Sequence, residues 1–419
     1  MLTRRRFLLG VTLTTAATVL AACSAAAPTP TPASTTANAP TAAPAAGGTT
    51  PTAAPAASGA TTPTAAIAPA ASADSVFFGV SGPVTGKSAE YGRIWKLGMG
   101  LALDEINGGG GVNGRKVELA WEDSQSDPKQ SVPVAQKFVD DKRIVAELGD
   151  FASPASMAAS PIYQKAKMVQ FAFTSSHPDF TKGGEYMFSI SLTQKQDASF
   201  LAETSFNRLG KKQAVFYRDT DWGKVTNDIY VARLKELGGE VVDSEKFLET
   251  DNDFKSILAK ARDAKPDVLA LVAYYNDGAL ILQQAKQAGL DAKVICNGAC
   301  YSPQFIKLGG DAVNGAMMTT VFFPSNPTPE VKNFVANYTK KYNETPDSFS
   351  ATSYDALKIL SWAAGKANFD RQGIQKVMAS ATEIPSVTYG TFKFGEDRRI
   401  SQAKAIPIEV KDGKFVAVT

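Results

Sequence analysis

The chain has 419 residues, with 44 basic against 41 acidic side chains and a formal net charge of +3. Nucleic-acid binding rests on clustered cations that release counterions, so this near balance argues against nucleic acid as a partner. One histidine, three cysteines and no C-x-x-C pair cannot supply the usual zinc ligand sets, and we expect neither a metal site nor a cofactor.

Residues 1–23 have the pattern of a bacterial export signal. Arg4, Arg5 and Arg6 precede an uncharged apolar stretch, and small residues then lead to Cys23. The opening resembles a twin-arginine export motif, and LAAC resembles a lipobox, in which the cysteine is lipidated after cleavage. The alternative is a transmembrane anchor, but the apolar run is shorter than the roughly 20 residues that span a bilayer. We therefore expect an extracytoplasmic lipoprotein, anchored to the outer face of the cytoplasmic membrane.

Residues 24–73 are almost wholly Ala, Thr, Pro, Ser and Gly, and they carry no charge. With Ile67 as the one large apolar side chain, this segment cannot form a hydrophobic core. The composition predicts a disordered tether between a lipid anchor and a folded body.

From residue 74 onward, apolar runs of strand length alternate with amphipathic helical stretches. The runs are VFFGV (from Val76), KVELAW (Lys116), RIVAEL (Arg143), MVQFAF (Met168), QAVFYR (Gln213), DVLALVA (Asp267) and KVICN (Lys293). This repeated order predicts an α/β fold built from doubly wound parallel sheets. Because the segment is longer than one core usually accommodates, we expect two Rossmann-like lobes.

Two glycine-containing segments superficially match nucleotide-binding motifs. In VSGPVTGKS, a phosphate loop would need a glycine five residues before Gly86, and that position is Ser81. The segment GGGGVNG, from Gly108, contains G-x-G-x-x-G but follows a helix and precedes a strand, which is the reverse of the dinucleotide fingerprint. We interpret the second segment as a helix-to-strand turn and the first as a loop suited to an anion or a dipole.

Ligands of doubly wound sheets bind beyond the carboxyl ends of the strands, so the residues directly after each apolar run are the candidates for a site. GDFASPAS and TSSHPDF follow the third and fourth runs, and in the first of these Ser153 is placed to cap a helix that begins at Pro154. DTDWGK and YYND follow two later runs. This distribution predicts hydroxyl groups on one lobe and aromatic rings on the other, closing over a small solute.

Several of these motifs occur in the order found in one family. GVSGPVTGKSAEYG, LALDEINGGGGVNGRKVEL, EDSQSDPKQS, ELGDFASPAS and DTDWGK resemble the type I extracytoplasmic solute-binding proteins of ABC transporters, in the leucine/isoleucine/valine-binding branch. The resemblance implies a periplasmic binding protein type I fold, with two lobes joined by a three-crossing hinge. It places residues 74–191 and 322–388 in lobe I, and residues 192–321 and 389–419 in lobe II.

The resemblance also implies a set of ligand-binding residues. Ser153 and Ser176, with Thr174, match the positions that hold the ligand carboxylate in the family's amino-acid binders. Tyr91 matches the aromatic residue that lines the side-chain space of the ligand. From lobe II, the matching positions are Trp222, Tyr274 and Asn297.

The sequence departs from the family at one position. Amino-acid binders place a glutamate after the strand corresponding to KVICN to pair with the ligand ammonium, and this chain has Asn297, Gly298 and Ala299 there. A buried ammonium without a partner is costly, so either Asp219, Asp221 or Asp277 takes the role, or the ligand has no α-amino group. Amino acids are thus the first expectation, with amides, urea-like solutes and small carboxylic acids as the alternative.

The expected function is that of a monomeric substrate-binding protein that delivers its solute to the permease subunits of an ABC importer. A ligand-sensing module for a signalling receptor is the alternative. No nucleophile motif, phosphate loop or metal ligand set supports an enzyme, so we expect none. Cys296 and Cys300 are expected to form either a disulfide or two unpaired thiols.

Overall fold

A computed structural model describes residues 75–400 and 403–418. The predicted signal at residues 1–23, its lipidation site Cys23 and the predicted tether at residues 24–73 lie outside these residues. No helix within the described part is both long and apolar enough to cross a membrane.

The N-terminal half forms a parallel five-stranded sheet. Its strands are β1 (Ser75–Gly82), β2 (Lys116–Asp123), β3 (Ile144–Leu148), β4 (Gln170–Ala172) and β5 (Met187–Ser189), in the order β2-β1-β3-β4-β5. The helices between them are α1 (Ala89–Gly108), α2 (Pro128–Asp140) and α3 (Ser153–Lys165). All five residues of β3 are buried, as expected for a parallel strand covered on both faces. We call this sheet and its helices lobe I.

The second sheet begins after one helix. In chain order the elements are α4 (Gln194–Arg208), β6 (Lys212–Arg218), α5 (Asp221–Glu236), β7 (Glu240–Phe247), α6 (Lys255–Ala264), β8 (Val268–Val272), α7 (Tyr275–Gln287), β9 (Lys293–Cys296), α8 (Pro303–Gly309) and β10 (Met317–Thr320). The strands pair in parallel in the order β10-β9-β8-β6-β7. This second body is lobe II.

The C-terminal segment contributes to both lobes. Its elements are α9 (Pro329–Tyr342), α10 (Ser348–Lys366), α11 (Arg371–Ser380), β11 (Ile384–Ser386), β12 (Gly390–Phe392), β13 (Ile406–Lys411) and β14 (Lys414–Ala417). Helix α10 packs on α1 of lobe I, and Gly98 permits the close approach because a Cβ there would lie 2.3 Å from the carbonyl oxygen of Ser350. Strands β13 and β14 extend the sheet of lobe II.

The structure confirms the α/β fold with two lobes and corrects one detail of it. Strand β13 pairs antiparallel with β10, and β14 pairs antiparallel with β13, so the seven-stranded sheet is mixed rather than wholly parallel. The short two-residue turn between β13 and β14 suits a hairpin. The exact boundaries of the lobes, at residues 191/192, 321/322 and 388/389, stay a prediction.

Both glycine-containing segments lie in connecting loops. The segment from Gly108 joins the end of α1 to β2, and Gly111 has a φ of 76°, which confirms the predicted helix-to-strand turn. In the first segment, the backbone N–H groups of Val84 and Thr85 donate to the Asp123 carboxylate at 3.0 and 3.3 Å. The anion suited to this loop is therefore a side chain of the protein itself.

Candidate functional site

A cavity of about 130 Å³ lies between the two lobes. Its walls come from the loops after β3 and β4 in lobe I, from the loops of lobe II, from the N-terminus of α10, and from the segments that connect the lobes. The lining residues are Phe151, Ser153, Phe173, Thr174, Ser176, Ser191, Leu192, Asp197, Trp222, Tyr274, Asn297, Gly298, Ala299, Thr319, Thr320, Val321, Ser348, Phe349, Thr352 and Tyr389. Six of the seven residues predicted as ligand contacts are therefore present at one cavity.

Three hydroxyl-bearing residues of lobe I form one wall of the cavity: Ser153, Thr174 and Ser176. Ser153 is the first residue of α3, and its Oγ accepts a hydrogen bond from the backbone N–H of His177 at 3.3 Å. The residue that precedes the helix is Ala152, and no side chain caps it, so the expectation that Ser153 is the N-cap is wrong by one position. The Thr174 hydroxyl donates to the backbone oxygen of Asp150 at 3.1 Å. The wall thus offers hydroxyl groups beside the positive end of a helix, which suits an anion.

The buried carboxylate of Asp150 fixes the conformation of the loop that leads to Ser153. The side chain of Asp150 is 1% exposed and accepts hydrogen bonds from the hydroxyls of Ser124, Ser126 and Ser131 and from the backbone N–H of Phe151. Burial raises the pKa of Asp150, and these hydrogen bonds lower it in part. Asp150 does not line the cavity, so its role is to position the loop.

The opposite wall comes from lobe II. Trp222 lies in the first turn of α5, and its indole Nε1 donates to the Ser176 Oγ of lobe I at 3.2 Å. Its ring lies 5.4 Å from that of Tyr274, which in turn lies 4.1 Å from the guanidinium of Arg218. Burial raises the pKa of Tyr274 to about 12, so its hydroxyl is neutral. The Asn297 side-chain oxygen accepts from the N–H of Ala273 at 2.9 Å, which leaves its amide nitrogen as the group available to a ligand.

Tyr91 does not line the cavity, which corrects its expected position. Its side chain is 0% exposed and stacks on Phe151, with ring centroids 3.8 Å apart. The Tyr91 hydroxyl donates to the carbonyl oxygen of Ala299 at 2.6 Å and accepts from the N–H of Tyr275 at 3.3 Å. Tyr91 therefore lies one layer behind the cavity wall and connects lobe I to lobe II.

The prediction of hydroxyl groups on one lobe and aromatic rings on the other describes only part of the cavity lining. Phe151, Phe173 and Phe349 add aromatic rings from lobe I and α10, while Thr319 in β10 and Tyr389 in the turn before β12 add hydroxyls. Phe151 could have been found in the sequence, because it lies three residues after the end of β3, in the loop that leads to Ser153. Phe349 and Tyr389 come from the C-terminal segment, where the family motifs are weak and no local pattern marks them.

Asp197 is the charged residue lining the cavity that sequence reasoning missed. It lies in the first turn of α4, and one carboxylate oxygen accepts a hydrogen bond from the Thr319 hydroxyl at 3.2 Å. Burial raises the pKa of Asp197 to about 6, and the bond from Thr319 opposes that shift. The preceding residues form a capping box between Thr193 and Gln196, a signal for a helix start that the sequence did contain.

The three carboxylates suggested by the sequence as ammonium partners do not line this cavity. Asp219 pairs with Lys224 and Lys246, each at 2.9 Å. Asp277 lies 3.5 Å from the buried Arg218 guanidinium. Asp221 lines a separate, more polar cavity at the other side of Tyr274.

Cys296 and Cys300 are unbonded in the structure, and both are buried. The Cys300 Sγ lies 3.5 Å from the carbonyl oxygen of Ala273. Burial is the main cause that raises the pKa of the Cys300 thiol well above its usual value. Of the two expectations for this pair, the structure therefore agrees with unpaired thiols.

Comparison with known proteins identifies the family. The family model for periplasmic binding proteins matches residues 75–414, which include both lobes and every lining residue of the cavity. The chain belongs to the periplasmic binding protein family.

Several proteins similar to this chain are named for the binding of leucine or other branched-chain amino acids. Leu/Ile/Val-binding protein homolog 7 of Brucella abortus is 29% identical over 373 residues, which cover 84% of this chain and 92% of the relative. The leucine-binding protein LivK of Thermotoga maritima is 27% identical, with a TM-score of 0.77, over 82% of this chain and 98% of that one. The branched-chain amino acid transporter substrate-binding protein LivJ of Streptococcus pneumoniae, solved with isoleucine, is 25% identical, with a TM-score of 0.76 and the same coverage.

Proposed function

We propose that this binding protein captures an amino acid, with branched-chain amino acids as the first class to test, in the cavity between its lobes and delivers it to the permease of an ABC importer. The observation that carries the proposal is the 3.2 Å hydrogen bond from the Trp222 indole to the Ser176 hydroxyl. It joins the two lobes at the cavity wall, so the cavity is complete only when the lobes are closed.

Closure provides the link between ligand and permease. Contacts to a solute from Ser153 on one lobe and Trp222 on the other exist together only in the closed state. A ligand therefore shifts the population toward closure by the difference in its affinity for the two states. A permease that recognises the closed arrangement of the two lobes binds the loaded protein in preference to the empty one.

The size and lining of the cavity favour a single small solute. A volume of about 130 Å³ is below the range of roughly 300–1,000 Å³ typical of sites for drug-sized ligands. Hydroxyls and the N-terminus of α3 suit a carboxylate, and the rings of Phe151, Trp222 and Tyr274 suit an apolar side chain. Names and bound ligands of the similar proteins, which include leucine and isoleucine, support the same class.

Anchoring is a further part of the proposal. Lipidation of Cys23, followed by the tether at residues 24–73, would keep a monomeric binding protein close to its permease at the outer face of the membrane. This part rests on the sequence pattern alone. Labelling cells with a radioactive fatty acid tests it directly, because Cys23→Ser should abolish label incorporation while leaving the binding properties of the folded body unchanged.

The identity of the solute is tested with the folded part of the chain, from Asp74 onward, which we call the soluble body. The chain from Asp74 is purified, denatured and refolded to remove carried-over ligand, and its thermal midpoint is measured with amino acids, amides and small carboxylic acids. A bound ligand in excess should raise the midpoint, because it binds the folded state alone. Calorimetry on each hit should give about one ligand per protein and no turnover. Absence of saturable binding by any solute in the three classes would reject the proposal.

A further inference from the structure

The segment between β12 and β13 places a buried arginine against lobe I. Arg399 is 2% exposed, and it forms no ion pair with a carboxylate of the described residues. The exposed carboxylate of Asp397 acts on it only at longer range. Arg218, which is equally buried, differs in this respect, because it pairs with Glu249 at 2.8 Å and lies 3.5 Å from Asp277. The positive charge of Arg399 therefore has no close counter-ion within the described part of the chain.

The hydrogen bonds of the Arg399 guanidinium go to neutral oxygens. Nη2 donates to the backbone oxygen of His177, and Nε donates to the Thr181 hydroxyl at 3.3 Å. Nη1 is buried and has no hydrogen-bond partner among residues 75–400 and 403–418. Burial lowers the pKa of Arg399 to about 10, so the guanidinium is still charged at pH 7. A buried charge that neutral groups alone surround is costly, and an anion that approaches it is favoured.

The titratable groups of the neighbouring elements do not supply that anion. Burial is the main cause that lowers the pKa of His177, so this imidazole is neutral at pH 7. Asp179, two residues further along the same loop, is exposed and pairs with Lys182 at 2.6 Å. The Asp197 carboxylate at the cavity is not among the groups that shift the pKa of Arg399. The described residues packed around Arg399 thus leave its charge unbalanced.

The loop that Arg399 holds is the one that carries Ser176. His177 directly follows Ser176, which lines the cavity. The backbone oxygen of His177 accepts from Arg399, and its backbone N–H donates to the Ser153 Oγ at 3.3 Å. The guanidinium and the hydroxyl wall are therefore bonded to the backbone of the same residue. Arg399 itself is not among the residues that line the cavity, so it lies behind this wall.

We infer that Arg399 is a positioning residue of the site, which fixes the loop of Ser176 and places behind it a positive charge that the carboxylate of the solute balances. The inference rests on the proposed function and adds to it a residue that does not touch the solute. The interaction between two charges falls only with the inverse of their distance, so a buried guanidinium acts across one layer of residues. A solute with a neutral group in place of the carboxylate would leave the charge unbalanced and should bind more weakly for that reason.

Two substitutions and two ligands separate the effect of the charge from that of loop anchoring. Arg399→Gln removes the charge and retains an amide that can donate to the backbone oxygen of His177, whereas Arg399→Lys retains the charge. L-leucine carries a carboxylate, and L-leucinol has the same amine and side chain with a neutral hydroxymethyl group in its place. The ratio of the two affinities, measured by calorimetry on the refolded soluble body at pH 7, isolates the charge, because a displaced loop weakens the binding of both ligands.

Arg371→Gln is the matched control. Arg371 is a half-buried arginine of α11 that also donates to a backbone oxygen of lobe I, that of Ile144, at 2.7 Å. Ile144 is the first residue of β3, and the cavity loop follows the last one, so the control lies at the other end of the strand. Thermal midpoints without ligand verify that each variant folds.

Arg399→Gln should lower the leucine affinity by about tenfold and the leucinol affinity by much less, so that their ratio falls about tenfold. Arg399→Lys should keep a ratio close to that of the wild type, and Arg371→Gln should not change it. An Arg399→Gln variant that folds and keeps the wild-type ratio would overturn the inference.

A spectroscopic measurement on the wild-type protein does not depend on the folding of Arg399→Gln. The Nε–H resonance of Arg399, assigned by its absence from the spectrum of Arg399→Lys, should shift when leucine binds and shift much less with leucinol. Equal shifts with the two ligands would count against the charge. If no amino acid, amide or small acid binds the wild-type protein, the proposed function itself fails. If leucine binds, but the ratio and the resonance do not respond in this way, the role of Arg399 is overturned and the solute-binding function stands.

Discussion

The hydroxyl of Tyr91 in lobe I donates a hydrogen bond to the backbone oxygen of Ala299 in lobe II, across a distance of 2.6 Å. Two further hydrogen bonds also join the lobes. The Tyr275 hydroxyl donates to the backbone oxygen of Lys87 at 2.9 Å, and the Lys87 ammonium donates to the backbone oxygen of Glu249 at 2.6 Å. None of Tyr91, Lys87 or Tyr275 lines the cavity. The closed state therefore has interlobe hydrogen bonds that are independent of any solute.

Tyr91→Phe should weaken solute binding although Tyr91 cannot contact the solute. The change removes both interlobe hydrogen bonds of the Tyr91 hydroxyl, to Ala299 and from the longer contact with Tyr275, at a combined net contribution of about 1 kcal/mol. The apparent affinity for leucine, measured by calorimetry, should fall by about fivefold, since the closed state is less populated before ligand binds. Small-angle scattering of the ligand-free protein should show a shift toward the open form.

Tyr163→Phe is the matched control for this prediction. Tyr163 is 1% exposed in α3 of lobe I, and its hydroxyl has no hydrogen-bond partner among the described residues. Loss of that hydroxyl should leave the leucine affinity unchanged. Equal effects of the two substitutions would show that Tyr91 acts on stability in general rather than on closure.

Trp222→Ala should reduce leucine affinity by tenfold or more. The indole supplies an aromatic wall, worth about 1 kcal/mol beyond its buried area, and also the bond to Ser176. Trp222→Phe should retain part of the affinity and should lose most of the ligand-induced change in tryptophan fluorescence. Trp121→Ala, in β2 and away from the cavity, is the control and should preserve both the affinity and the fluorescence response.

Ser153→Ala should weaken leucine binding by about tenfold, the magnitude of a lost hydrogen bond to a charged group. Its effect on unfolding should be small, because the Ser153 side chain does not cap α3 and accepts a single backbone hydrogen bond. The comparison is Ser380→Ala, at an exposed serine near the end of α11, which should alter neither quantity. An unchanged affinity in Ser153→Ala would move the ligand carboxylate away from the N-terminus of α3.

Cys296 and Cys300 should be unreactive in the native soluble body. Both are buried, and a raised pKa keeps the Cys300 thiol protonated, so the thiolate that reacts with alkylating reagents is scarce. Mass spectrometry should find no label on the folded protein and two labels after denaturation without a reductant. A denatured protein that takes up no label until it is reduced would contradict the free thiols and indicate a disulfide.

Local sequence patterns were sufficient for the central strands and for the loops that follow them. All seven apolar runs correspond to strands, most clearly β8, whose five residues are all apolar and all buried. Position after a strand then identified the loops around Ser153, Thr174 and Ser176, and the family resemblance singled out these three residues within them. Strand β7 was missed because only Phe247 in it is fully buried and four of its eight residues are charged.

Sequence alone could not identify the residues that approach the cavity from distant parts of the chain. Asp197 lies in the first turn of α4 and not after an apolar strand, although it is the one charged residue that lines the cavity. Phe349 and Tyr389 reach the cavity because α10, which packs on α1 of lobe I, begins at the cavity and because Tyr389 lies in the turn before β12. Tyr91 illustrates the opposite error, since a residue in the first turn of a helix beside the site can face the neighbouring lobe rather than the ligand.

A crystal structure of the refolded soluble body grown with L-leucine would test the central claim most directly. We predict closed lobes and one leucine in the cavity, with its carboxylate at Ser153 and Ser176 and its side chain against Trp222 and Tyr274. Leucine bound outside this cavity, or closed lobes whose cavity contains only water at saturating leucine, would contradict the account.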